Sequence, residues 1–393
     1  MAVTGQKQLI SLPLKFVFTD AGSSALLRQN VRINRLKMGD QTDDYGIFVD
    51  KVTPDFLQRM IMMNYISKIE VSGVDPTESR TDIIELSKLI VLSILYKNFA
   101  DVSLEQLLAS TPVKQWNHLN PSLVIDDKTQ FKEGLLQSFI DRHSGELAEI
   151  QQELLDPVVR NINTDTGLQQ DEKEHRQNLL RIFLSSVYPL AWFAVLKFRN
   201  TREYPFLLRT VRLCLVESLK KTNVAEFASL MLMELASNIV NLNIQKEAKR
   251  MFGNENLDIK QMLMDPKWRL PVIESLRKKN NLLTFSWKLG GGGTSLIKGA
   301  RGRFQVVLYD QDINYIATRD SVAQSKTADV KRFNLSEFYK KLHDSGNDLD
   351  LGMFYLSFLD EACSNMGIKF ESAVNQSQLS GMGQTITTLS FIL

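Results

Sequence analysis

Arg303-Phe304-Gln305-Val306-Val307-Leu308-Tyr309, with Asp310 directly after it, is the stretch on which the reading of this chain turns. Its almost continuous apolar run predicts a strand, and that strand hands the chain a carboxylate at its far end. The stretch before it, Leu282-Leu283-Thr284-Phe285-Ser286-Trp287-Lys288, alternates and puts Phe285 and Trp287 on one face of a second strand. Between the two lie Gly290-Gly291-Gly292-Gly293, followed by Lys298, Arg301 and Arg303. Glycines beside basic residues can cradle a phosphate. The spacing of a P-loop is absent, however, and a mobile hairpin loop is the expectation.

Further upstream, Asp258 to Asn280 reads as a helical stretch broken by Pro266 and Pro271 and ending in Arg277-Lys278-Lys279, a solvated end favoured by the helix dipole. Val224 to Phe252 reads as one long helix. Within it Glu234 and Asn238 are four residues apart and share a face, amid Leu230, Leu235, Ile239 and Leu242. Downstream of Asp310, a polar stretch from Ile316 to Asp350 contains one short helix at Ser336 to Lys341. Leu351-Gly352-Met353 then opens a helix that stops at Gly367. A strand follows from Ile368, and Gly381-Met382-Gly383-Gln384-Thr385 leads into the last strand, Ile386 to Phe391.

This order of elements resembles the ATP-binding domain of the histidine-kinase-like superfamily, which includes gyrase, heat-shock chaperone, histidine kinase and MutL ATPases. The resemblance covers the C-terminal part of the chain only. It implies ATP and magnesium as cofactors: Asn238 would hold the metal, a hard oxygen ligand suited to an ion that keeps most of its waters. Glu234, one turn earlier, would be the general base for the attacking water. Asp310 would bind the adenine amino group, Gly352 would open a helix N-terminus able to receive an anion, and Gly383 and Thr385 would form the turn before the final strand. The family pattern Asp-x-Gly-x-Gly stands here as Asp310-Gln311-Asp312-Ile313-Asn314, so both glycines are lost where backbone must pass close to the base. The second glycine box keeps only Gly352, and the helical stretch before the first strand is an insertion.

The first half of the chain is of another character. Leu12 to Phe18 alternates like a strand, Tyr45 to Val49 is a second candidate, and Thr53-Pro54-Asp55 starts a buried helix with a capping oxygen, a proline and an acid in order. From about residue 81 to 200 the pattern is helical: Asp82 to Ile90, a short capping-box start at Ser103-Leu104-Glu105-Gln106, a long helix or helix pair from Phe131 to Arg160, and a stretch from Glu172 to Arg199. Residues 110–128 read as loop, and Asn161 to Gly167 as a turn or linker. Helices before such a domain invite comparison with a phosphotransfer module. Four histidines are on offer, His118, His143, His175 and His343; neither His143 nor His175 is followed by the residues of a phosphoacceptor, so surface histidines without autophosphorylation are expected.

Among 393 residues, 47 are basic and 45 acidic, a net charge of +2 that gives no pull toward nucleic acid. The two cysteines, Cys214 and Cys363, are far apart and read as reduced thiols packed on apolar helix faces in a cytoplasmic setting. The N-terminus lacks the pattern of a secretory signal. Ile182 to Leu196 is charge-free but shorter than the ~20 residues of a membrane span and is interrupted by Pro189, so a buried core helix is expected. The expected class is therefore α/β: a small mixed domain at 1–80, an α-helical segment at 81–204, and a two-layer α/β sandwich of histidine-kinase-like type at 205–393. The function expected first is a cytosolic signalling or regulatory protein whose divergent, degenerate ATP-binding domain acts through a protein partner, with a homodimer through the helical segment as the oligomer. Two alternatives stay open. One is an active magnesium-dependent ATPase or kinase using Glu234 and Asn238; the other is a helical interaction protein that binds no small ligand.

Overall fold

A computed structural model describes residues 9–126, 135–253, 259–279, 282–290, 302–310, 359–377 and 384–393. Among the described residues eight strands form one sheet: β1 Leu14–Phe18, β2 Asn34–Lys37, β3 Asp43–Val49, β4 Ile66–Ser72, β5 Thr284–Leu289, β6 Arg303–Asp310, β7 Lys369–Ser377 and β8 Gln384–Ile392. Their spatial order is β2-β3-β1-β4-β5-β6-β8-β7, and every pairing is antiparallel. The protein is α/β, as expected, and its sheet is antiparallel among the described residues.

Alternation along the strands separates the two faces of this sheet. Phe16, Ile69, Val71, Phe285, Trp287, Phe304, Val306, Leu308, Leu389 and Phe391 all enter one buried core. Register carries this across the sheet, with Ile69 opposite Trp287, Trp287 opposite Val306 and Val306 opposite Leu389. The intervening positions Lys15, Lys68, Glu70, Lys288 and Tyr309 project from the other face.

The helices are α1 Asp20–Arg28, α2 Pro54–Met62, α3 Arg80–Leu108, α4 Thr111–Leu119, α5 Leu135–Arg142, α6 Ser144–Thr164, α7 Gln170–Ser186, α8 Pro189–Lys197, α9 Tyr204–Lys221, α10 Asn223–Phe252, α11 Ile259–Met262 and α12 Pro266–Lys278, with residues 359–365 also helical. The core of the sheet is completed by Leu57, Met60 and Ile61 of α2, Ile83, Leu86 and Ile90 of α3, a long row on α10, and Val272, Ile273 and Leu276 of α12. Polar contacts fix α12. Arg269 pairs with the buried Asp75 at 3.1 Å, and Lys279 and Ser275 both reach Glu247 of α10.

The chain divides into two compact units. One is Met1–Ile94 together with Asn223–Leu393, and the other is Leu95–Thr222. The expected boundaries at 80 and 204 differ from these for a physical reason. β4 from the N-terminal part pairs with β5 from the C-terminal part over five residue pairs, so residues 1–80 share a sheet and a core with the end of the chain.

The second unit is helical. Tyr96 meets Phe183 edge to face, Phe139 meets Phe193, and the Lys197 ammonium lies 4.3 Å from the Trp116 ring centroid. The Tyr188 hydroxyl donates to Asp101 at 2.7 Å. Several local expectations change here. Ser103 is a buried position inside α3 rather than a helix start, and Pro112 opens α4 within the stretch read as loop. His143 separates α5 from α6, and α7 and α8 are bent by 85° around the Pro189 break. Among the described residues the run Tyr204–Phe252 is long and apolar enough to cross a membrane, and 69% of its apolar window is buried inside the structure. Cys214 and Cys363 are both buried and free. Burial pushes the Cys363 thiol up to about 12, with the nearby Asp360 charge adding to it, so it packs as an unreactive small hydrophobe.

Candidate functional site

Asp310 closes β6 on the face that α10 covers. Asn243 of α10, 8% exposed, donates from Nδ2 to Asp310 Oδ1 at 3.0 Å. Across the strand pair Asp310 stands opposite Thr385 of β8, in step with Leu308 opposite Thr387 and Val306 opposite Leu389. The backbone register thus sets these two positions side by side at the ends of β6 and β8. Of the residues singled out in the sequence, Asp310 and Thr385 are the pair the fold joins. Asn243 was not singled out. Asparagines at 238, 241 and 243 follow one another on α10, and only the β6 contact distinguishes the third.

Glu234 is 8% exposed and turns elsewhere: its Oε1 accepts from Arg80 Nη2 of α3 at 2.9 Å. Nine residues separate Glu234 from Asn243, which at about 100° per residue puts them on opposite sides of α10. Asn238 lies in α10 one turn beyond Glu234. One of the two Glu234 carboxylate oxygens is thus held by a guanidinium. Among the described residues no group of three or more His, Cys, Asp or Glu is placed to hold a metal ion.

Gly352 and Gly383 lie outside the described residues, as do Gly291, Gly292 and Gly293, Asp312 and Asn314. Gly290 is described, and its N–H donates to the Arg303 carbonyl at 2.8 Å, closing the β5–β6 hairpin. A Cβ at Gly290 would stand 2.4 Å from that same carbonyl oxygen. This first glycine is therefore required by strand pairing, independently of any phosphate.

A family model described as "Family of unknown function (DUF8084)" matches residues 5–393. A protein of Treponema pallidum (strain Nichols), described as "Uncharacterized protein", is 29% identical over 376 residues, covering 96% of this chain and 96% of its own length. No solved structure matches.

Proposed function

The chain belongs to that family, DUF8084, and from its own geometry we propose a regulatory protein built on a divergent histidine-kinase-like nucleotide-binding fold, acting through a protein partner without turning over ATP. The observation that carries this reading is the juxtaposition at the ends of β6 and β8: Asp310, oriented by Asn243, beside Thr385. Supporting it is the order of elements in chain and space, α10, then the β5–β6 hairpin, then the helix at 359–365, then β7 and β8, with β8 inserted beside β6. A carboxylate fixed by an amide at a strand end suits recognition of an exocyclic amino group, which donates hydrogen bonds. The engagement of Glu234 by Arg80 supports the non-catalytic half of the proposal.

The test is titration calorimetry of the full chain with ATP, with and without magnesium, together with a phosphate-release assay. The expected result is ATP binding weaker than about 100 μM, equivalent to about −5.5 kcal/mol, and no phosphate release above background. Asp310→Asn and Asn243→Ala should each weaken whatever binding is found by roughly tenfold, the value of one hydrogen bond to a charged group. Phosphate release that Glu234→Gln abolishes would overturn the proposal in favour of an active ATPase.

A further inference from the structure

Helix α9, Tyr204–Lys221, has two unlike sides. Leu207, Leu208, Val211, Cys214, Leu215 and Ser218 are buried, on the side that meets α6, α7 and α8. The other side is open. Phe206 is 57% exposed and Leu213 is 54% exposed, two large apolar side chains seven residues apart. At about 100° per residue, Phe206, Leu213, Glu217 and Lys220 fall within about 60° of one another and make a single stripe. Arg209 lies about 60° to one side of Phe206, where its long stem lets the guanidinium stay in water. A lone exposed apolar side chain needs no explanation, but two stacked on one stripe between charged ends do.

Charge is ordered along this stripe. Arg202 is exposed and stands at the entry, two residues before the helix begins. Glu217 is exposed near the exit, its Oε1 2.6 Å from Lys220 Nζ. Phe206 and Leu213 lie symmetrically about the point between Arg209 and Thr210, and so do Arg202 and Glu217. A second α9 turned about that point runs antiparallel to the first. It sets Phe206 against Leu213 of the other copy and, in the same register, Arg202 against its Glu217, each contact made twice by symmetry. Glu203 then falls about one helical turn from Lys220 of that copy. Antiparallel pairing also places each helix N-terminus beside the other's C-terminus, where the dipoles attract. A parallel pair would instead set each residue against itself, with Glu217 facing Glu217 and Lys220 facing Lys220.

We propose that this face of α9 is an isologous interface, on which two copies of the chain pair antiparallel. The occupant is a second copy because the stripe carries its own complement, apolar to apolar and base to acid in one register. The inference is independent of the nucleotide reading, since α9 belongs to the unit Leu95–Thr222 and Asp310 to the other.

Sedimentation equilibrium of the full chain tests it. A short two-helix contact of this kind is expected to give a dissociation constant on the order of 10 μM. Leu213→Glu should leave a monomer throughout. Glu217→Arg turns two attractive pairs into two repulsive ones and should weaken the dimer at least tenfold. Adding Arg202→Glu to the same chain restores opposite charges across the two-fold axis and should recover the native affinity within about threefold. All three positions are exposed, so circular dichroism at 222 nm should be unchanged in every variant. A native chain that stays monomeric up to about 200 μM, roughly twenty times the expected constant, overturns the proposal and leaves the stripe to a different protein. It fails equally if Leu213→Glu dimerises as the native chain does, or if the doubly substituted chain stays as weak as Glu217→Arg alone.

Discussion

Gly46 of β3 faces the backbone of β1 so closely that a Cβ would stand 2.0 Å from the Phe16 carbonyl oxygen. That carbonyl belongs to a strand paired on both sides, so it cannot retreat without breaking one ladder. Gly46→Ala should therefore destabilise by about 3 kcal/mol through overpacking, seen as a melting temperature lower by about 5 °C or more. An unchanged melt would place the β1–β3 register in error. Glu247 offers a pH-dependent counterpart. Arg250 beside it, first of all, holds its carboxyl down at about 2, helped by Lys279 and Ser275 against the opposing effect of burial. A carboxyl depressed on folding contributes stability in full above its unfolded value near 4.5, and that contribution fades as pH falls toward about 2. Glu247→Gln should thus cost about 1–2 kcal/mol at pH 7, after allowing for solvent screening at the exposed Arg250. In urea titrations the gap from the native protein should close between about pH 5 and pH 2. A gap constant with pH would assign the loss to packing alone.

At the scale of elements, what could be read from the sequence follows the strength of the local pattern. β5, β6 and α10 announce themselves, because alternation, a continuous apolar run and thirty residues of helical spacing are each hard to mistake. β4 escaped reading: Lys68 and Glu70 are buried at 6% and 0%, and two charges in a short strand make sense only once Asp40 and Lys15 are seen to answer them. α1 was missed as well, with Gly22, Ser23 and Ser24 in a weak helix former. It holds through the Thr19 cap and the close passage of Gly22 under the Tyr65 carbonyl. Of the candidate site, Asp310 was legible because it ends an obvious strand, and Asn243 was not, because its partner lies 67 residues away. β5 matters most of these elements, since it alone joins the N-terminal strands to the C-terminal ones. Ser286 at its centre stands opposite Glu70 on one side and Val307 on the other. Ser286→Pro removes a ladder donor in a strand paired on both edges and should cost about 3 kcal/mol or more. Loss of a cooperative melt is expected. A native-like transition would mean the two halves of the sheet do not depend on this junction.

Seen as a whole molecule, the chain has one unit made of its two ends and another made of its middle. This has a consequence for dissection. A fragment of residues 205–393 keeps the Asp310 end but lacks β1 to β4, so β5 would become an edge with unpaired backbone groups. Phe285 and Trp287, both 0% exposed in the full chain, would also lose Phe16, Ile69 and Val71 as core companions. Losing these partners costs stability comparable with the whole margin of an average domain, about 5–15 kcal/mol, so the fragment should melt without a cooperative transition and should bind a hydrophobic dye. Residues 95–222 are different, because Tyr96, Leu107, Leu154, Phe183, Trp192, Val195, Leu207 and Leu215 are buried within that segment and supply a core of its own. Expressed alone, residues 95–222 should give a single cooperative thermal transition by circular dichroism at 222 nm. The opposite pattern, a cooperative 205–393 fragment beside a molten 95–222 fragment, would overturn the division into end-to-end and middle units. It would restore a boundary near residue 204.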